Sequence, residues 1–214
     1  MFSFLTNTST ALALSAIGLK ILASVKFKTH FLGNIVPALF ISLMFVGCGG
    51  GDSDEPPRVA DISTQADLAS INGRSSYLAG HYTLVNDITL DTPSGAGWTP
   101  IGTSANPFRG TFNGNGFVIR GLKVNRTSAD YVGLFGYAHG ATIRNLGVEI
   151  DSSGVKGKNY VGGIAGSFVR GSITDSYAIG KVEGRVYAGG LAGLLNKSSV
   201  SDSYFSGNIN GTSG

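Results

Sequence analysis

Two carboxylates in this chain each follow a cation by five residues. Asp175 comes after Arg170 and Asp202 after Lys197, and the two pairs are 27 residues apart. Clustered carboxylates beside a basic residue are what polysaccharide hydrolysis or elimination requires, acting as acid and base or holding Ca²⁺. The set is incomplete, because the equivalent position one phrase earlier is Asn145, and Asp is in any case a common turn residue. Asp175 and Asp202 are therefore weak metal candidates, and no catalytic residue is assigned. His81 and His139 lie in no HExxH and beside no nucleophile, so metallopeptidase and triad chemistry are not written here. No phosphate-loop spacing ends in Lys-Ser or Lys-Thr, and no cofactor is expected.

The spacing of those carboxylates belongs to a longer repetition. YVGGIAGSFVRGSITDSYAIGKVEG begins at Tyr160 and YAGGLAGLLNKSSVSDSYFSGNING at Tyr187. Aligned on the last glycine of each Gly-rich phrase (Gly136, Gly166, Gly193), an aliphatic residue follows at Ile143, Ile173 and Val200. A short polar residue follows two positions later, at Asn145, Asp175 and Asp202. The repeat is 30 and then 27 residues. Extending it backward through Ile119–Val124 and Leu84–Leu90 predicts five units, beginning at residues 84, 119, 143, 173 and 200.

Helical repeats need sustained 3.6-residue periodicity, whereas these units are broken every few residues by Gly, Asn and Ser and favour Val, Ile, Tyr and Thr in short alternating runs. Propeller blades need about 40 residues. The remaining fit is all-β: a right-handed parallel β-helix of about five coils, in which stacking pairs each strand with its copies above and below. Val161, Ile164, Ile173 and Ile179 are then expected inside. Gly162, Gly163 and Gly166 allow close backbone approach, and Asn145, Asp175 and Asp202 mark strand kinks where a short side chain bonds nearby N–H groups. In DISTQADLASI, Thr64 and Asp67 have capping-box spacing. A short N-terminal helix there would turn Leu68 and Ile71 inward and cap the first coil. Tyr131, Tyr160 and Tyr187 form one outward column, Tyr177 and Tyr204 a second. Such columns either cover the sheet by stacking or present a face to sugar rings or a protein partner.

The phrases Tyr160–Gly166 and Ile173–Gly180 resemble the GLUG motif of bacterial surface proteins, among them IgA1-specific metallopeptidases and filamentous-haemagglutinin-like adhesins. Trp98–Gly102, Pro107–Gly114 and Gly133–Gly136 resemble the segment that leads into such repeats. The resemblance covers residues 60–214 and implies surface location and a β-helical stalk or adhesive region, without implying an activity.

Residues 1–47 read as a signal peptide, with Lys26 and Lys28 ahead of the apolar run Ile35–Gly47. That run is too short for a membrane-spanning helix of roughly 20 residues. Val46-Gly47-Cys48 resembles a bacterial lipobox, with Phe45 where Leu is usual, so Cys48, the single cysteine, is the expected lipidation site. The apolar stretch Ala11–Val25 exceeds what a signal needs, and a start near residue 25 would leave one of ordinary length. Residues 48–59, rich in Gly, Ser, Pro and acid, read as a flexible tether. All thirteen Asp and Glu and thirteen of the sixteen Lys and Arg lie after Cys48, so the charge of +3 belongs to the leader. A nucleic-acid partner, which needs a concentrated basic face, loses its support. The repeat at the C-terminus is cut short at Gly214, and the native chain is expected to continue.

These readings describe a cell-surface lipoprotein, in the outer membrane or on the surface. Its partners are the membrane, through the lipid, and a host or cell-surface protein or glycan, and the module is adhesin-like or a stalk. The alternative is the non-catalytic N-terminal part of a larger surface peptidase or polysaccharide-active enzyme.

Overall fold

The computed structural model describes residues 56–91 and 94–211, so the signal, Cys48 and residues 48–55 of the tether lie outside the described residues. Strand β1 (Val59–Ile62) leads into helix α1 (Gln65–Ser70). Coil 1, residues 81–110, holds β2 (His81–Leu84) and β3 (Ile88–Thr89). Coil 2, residues 111–141, holds β4 (Thr111–Asn113), β5 (Val118–Arg126) and β6 (Phe135–His139). Coil 3, residues 142–171, holds β7 (Thr142–Arg144), β8 (Gly147–Gly157), β9 (Asn159–Gly162) and β10 (Ala165–Val169). Coil 4, residues 172–198, holds β11 (Ser172–Thr174), β12 (Tyr177–Gly184), β13 (Val186–Gly189) and β14 (Ala192–Asn196). Coil 5 opens with β15 (Ser199–Ser201) and β16 (Tyr204–Gly211).

Equivalent strands stack into parallel sheets. Sheet 1 runs β1-β2-β4-β7-β11-β15, sheet 2 runs β3-β5-β8-β12-β16, sheet 3 runs β6-β10-β14, and β9 pairs with β13. The chain is a parallel β-solenoid of about five turns, as the repeat predicts. The register also corrects the phase of the first two units. Ile143 pairs with Phe112, which pairs with Tyr82, while Ile119 lies on sheet 2 between Ile88 and Val148. Equivalent positions are therefore 82, 112, 143, 173 and 200, a more even repeat than the sequence match suggests. Ile119-Arg120 imitates Ile143-Arg144 because an inward apolar residue next to an outward cation suits any strand of a solenoid.

Inside, the columns are apolar. Tyr82, Phe112, Ile143 and Ile173 fill sheet 1, and Phe108, Ala138 and Phe168 fill sheet 3. Large rings gather in the first coils, where Phe108 and Phe135 centroids are 4.9 Å apart and Phe112 meets Phe135 edge-on at 5.5 Å. Val161, Ile164 and Ile173 are fully buried as expected, but Ile179 is 39 % exposed. In β12 the inward positions are Ala178 and Val182 and Ile179 points outward, and the register against β8 shifts between Ile179 and Val182. Val200 and Ile209 of coil 5 are more exposed than the residues they copy, since no later coil lies over them within the described residues.

The N-terminal helix forms as the capping box predicts. The Thr64 N–H donates to Asp67 Oδ2 at 3.0 Å, and the Asp67 N–H donates to Thr64 Oγ1 at 3.1 Å. The Thr64 side chain first, and then the Ser63 N–H, hold the Asp67 carboxyl below its usual range. Leu68 and Ile71 are fully buried in the core cluster.

The glycines of the phrase act by close approach. A Cβ on Gly166 would fall 2.5 Å from the Tyr131 carbonyl carbon and the Val132 nitrogen, and one on Gly193 would fall 2.4 Å from the Val161 nitrogen. Both neighbours are backbone of the preceding coil and cannot yield. Gly166→Ala should therefore lower the unfolding free energy by about 2 kcal/mol or more. At Gly140, by contrast, φ is +69° with open space around the Cβ position, and Gly140→Asn should be near neutral because Asn tolerates the left-handed region. Urea denaturation of the two variants checks the contrast.

A pH dependence follows from Tyr82. Its hydroxyl donates to the Tyr77 carbonyl at 2.6 Å, and burial pushes its pKa from the ordinary 10 up to about 12. The folded state favours the protonated phenol, so this contribution is intact below pH 10 and lost as pH rises from 10 to about 12. Urea midpoints measured across that window should fall, and Tyr82→Phe should flatten part of the fall.

Candidate functional site

Along each turn, sheet 1 is bounded by two corners. At the corner toward sheet 2, Asn145, Asp175 and Asp202 have φ of 51°, 47° and 50°. These are left-handed conformations, which Asn and Asp enter more readily than most residues. Backbone bonds step through the corner from coil to coil, Asn145 N–H to the Thr174 carbonyl at 3.1 Å and Asp175 N–H to the Ser201 carbonyl at 3.2 Å. The Asp175 and Asp202 side chains are exposed and one coil apart.

Local hydrogen bonding, which the sequence reading assigned to the Asp and Asn side chains, belongs instead to the serine that follows. Ser176 Oγ donates to the Thr174 carbonyl at 2.7 Å and accepts from the Leu146 N–H of the preceding coil at 3.2 Å. Ser203 repeats this, donating to the Ser201 carbonyl at 2.7 Å and accepting from the Ser176 N–H at 3.0 Å. The recurrent Asp-Ser-Tyr was the available signal: the serine hydroxyl can donate within its own coil and accept from the preceding one, which a carboxylate cannot.

Arg170 and Lys197 occupy the other corner, toward sheet 3, with φ of 54° and 51°. The five residues from each cation to its Asp span sheet 1, about 16 Å at ~3.3 Å per residue. The carboxylate and the cation that look adjacent in sequence are thus held at opposite edges of a rigid strand. His139 accepts at Nδ1 from Arg109 Nη1 at 3.1 Å, and His81 is exposed on β2. Among the described residues no three His, Cys, Asp or Glu are grouped to hold a metal.

The tyrosines form two separate ladders. Tyr131 stacks on Tyr160 at 5.0 Å and 9°, and Tyr160 on Tyr187 at 5.0 Å and 3°. Tyr177 stacks on Tyr204 at 5.3 Å and 11°, at the start of sheet 2. Parallel rings one coil apart cover one another's faces, and the edge of the stack at Tyr131 is closed by a T-shaped contact with Tyr137 at 5.1 Å. What lines the outside is mainly ring edges and hydroxyls. The free ring faces belong to Tyr187 and Tyr204, the most exposed members. All three tyrosines of the longer ladder have positive φ, from 56° to 62°. Stacking offsets that backbone cost, which is why an aromatic residue recurs at a left-handed position. Beside this ladder a shallow cleft of about 340 Å³ is lined by Thr99, Thr103, Ser104, Arg126, Asp130 and Tyr131. The loop forming its rim is pinned by Trp98 Nε1 donating to the Leu134 carbonyl at 3.0 Å and by Asn72 bonding both Pro100 and Gly102.

The outer face of sheet 2 carries alternating charge. Arg120 Nη2 meets Asp87 Oδ2 at 3.0 Å, and Arg120 Nη1 donates to Glu149. The Val118 N–H and then Arg120 hold the Asp87 carboxyl below its usual range. Farther along, Glu183 meets Lys156 at 3.2 Å and also Lys181.

Residues 184–210 match the family model described as the GLUG motif. A protein described as a Gly-rich membrane protein, from Evansella cellulosilytica, is 41 % identical over 118 residues, covering 52 % of this chain and 13 % of that protein. Halomucin of Haloquadratum walsbyi is 33 % identical over 142 residues, covering 63 % of this chain and 2 % of halomucin. The chain thus spans a small fraction of the length of these relatives. A crystal structure described as an immunoglobulin A1 protease, from Bacteroides ovatus, aligns over 72 % of this chain and 68 % of that one, with a TM-score of 0.36 and 16 % identity.

The ladder geometry sets a graded prediction. Tyr160→Ala removes two ring contacts and Tyr187→Ala removes one. At about 0.5–1.5 kcal/mol per aromatic pair, the first should cost roughly twice the second in urea denaturation.

Proposed function

We propose that this chain is a cell-surface lipoprotein whose β-solenoid serves as an adhesin-like or scaffold module, holding a binding face away from the membrane for a protein or glycan partner. The observation that carries this reading is the straightness of the outer columns. Because equivalent residues stack coil on coil, the tyrosine ladders, the charge ladder and the corner residues each run as a line along one rigid axis. Such a body presents long, regular contact lines, which suits engagement of an extended partner. The GLUG match at residues 184–210 and the likeness to a protein named as a membrane protein support a surface setting. Attachment is assigned to Cys48, whose apolar leader and Gly-, Ser- and acid-rich tether suit diacylation at a cysteine freed by cleavage, and more than one acyl chain is what stable anchoring needs. Gly49 behind it is compatible with sorting to an outer membrane.

Cys48→Ser should move the full chain from the membrane fraction to the soluble fraction of its native cells. Unchanged fractionation would overturn the anchoring assignment.

A further inference from the structure

Among the described residues, charge is neutralised on the outer face of sheet 2 and left without ion pairs at both corners of sheet 1, as the carboxylates Asp175 and Asp202 at one and as cations at the other. On sheet 2, the two register positions that set charge over charge pair opposite signs, Arg120 with Glu149 and Lys156 with Glu183, and Asp87 and Lys181 join these pairs from neighbouring positions. Like charges directly opposite on neighbouring strands are destabilising, so the alternation is the expected solution. The corner between sheet 3 and sheet 1 departs from it. Arg170 and Lys197 are stacked in register one coil apart, bracketed by the pairs Val169–Asn196 and Ser172–Ser199. Arg109 lies one position before this column and two coils nearer the N-terminus, in register with His139, Val169 and Asn196, and its Nη1 is 3.1 Å from His139 Nδ1. All three cations are exposed, and among the described residues none of them is in an ion pair. Arg170 and Lys197 also hold positive φ, so this corner keeps two cations at positions that Asn, Asp or Gly would fill at lower cost.

We propose that this corner is a binding surface for a linear acidic polysaccharide laid along the solenoid axis, with its carboxylate or sulfate groups on Arg109, Arg170 and Lys197. The spacing favours a sparsely charged polymer. Successive coils are ~4.8 Å apart, with a cation on some coils and not others, whereas duplex DNA carries a charge every ~1.7 Å of axis. Next to the cations, the outer positions of sheet 1 are a column of Thr111, Thr142, Ser172 and Ser199. Their hydroxyls can donate to and accept from the hydroxyls of a sugar chain, and they add no charge. This rests on the reading of the chain as a surface module and names its partner. The binding test below is independent of lipid attachment, so its failure and the failure of Cys48 anchoring are separately visible.

The experiment uses the full chain in detergent and measures binding to heparin and to polygalacturonate across a salt series, with dextran and duplex DNA as comparison polymers. Retention on at least one acidic polysaccharide, none on dextran, and loss with rising salt are expected. Arg170→Asn with Lys197→Asn keeps residues that accept positive φ and should weaken binding roughly ten- to thirtyfold. Lys123→Gln with Lys158→Gln makes the same change in net charge elsewhere and should have little effect. If the first pair fails to fold by circular dichroism, Arg109→Gln with Lys197→Gln carries the same expectation. The proposal is overturned by equal losses in the corner and control variants, by no retention on either acidic polysaccharide at low salt, or by tighter binding to duplex DNA.

Discussion

The backbone ladder between successive coils is the interaction on which the rest of this structure depends. Each strand finds its hydrogen-bond partners in the coil before and the coil after, at a rise of ~4.8 Å, so every side chain is placed over its counterpart. The ladder tolerates little interference. Where the phrase turns under the tyrosine column, a methyl group at Gly166 or Gly193 would meet the preceding coil's backbone. Where the chain leaves sheet 1, Ser176 and Ser203 tie one coil's carbonyl to the preceding coil's amide. Glycine and serine recur in the phrase because one gives the ladder room and the other completes it at a corner.

Stacking like on like has different consequences for different chemistry. Apolar columns gain from it, as Tyr82, Phe112, Ile143 and Ile173 show on the inner side of sheet 1. Aromatic columns gain enough to hold Tyr131, Tyr160 and Tyr187 in left-handed backbone, at the expense of their faces as ligand platforms. Charged columns are penalised, and sheet 2 answers by alternating sign. Against that background the unpaired cations at Arg109, Arg170 and Lys197 are the feature the fold itself does not account for.

Much of this was legible in the linear text. The repeat from residue 143 onward is in the register that the alignment of Gly136, Gly166 and Gly193 implies, and Thr64 announced the capping helix four residues before its first buried side chain, Leu68. The earlier coils were read one sheet out of phase, because an inward aliphatic beside an outward cation fits sheet 1 and sheet 2 alike. Ile179 faces outward because the left-handed corner at Asp175 interrupts the alternation from Ile173, so that Ala178 takes the inward position of β12. The serine corner was missed because Asp and Asn are the more familiar turn residues.

By itself, then, the sequence determined that the chain is a stack of strands. Short alternating runs recurring at a near-constant spacing can bury their apolar side only against copies of themselves. It also determined which positions are copies, since a shared phrase means a shared place in the coil. Only the tertiary structure decided which columns become neighbours around the turn. Arg170 and Asp175 are five residues apart and suggest one site, yet a rigid strand holds them at opposite edges of sheet 1. Arg109 and Lys197 are 88 residues apart and share a corner. The reason is that distance along an extended strand grows with every residue, while distance between coils is set by a single hydrogen-bonded step.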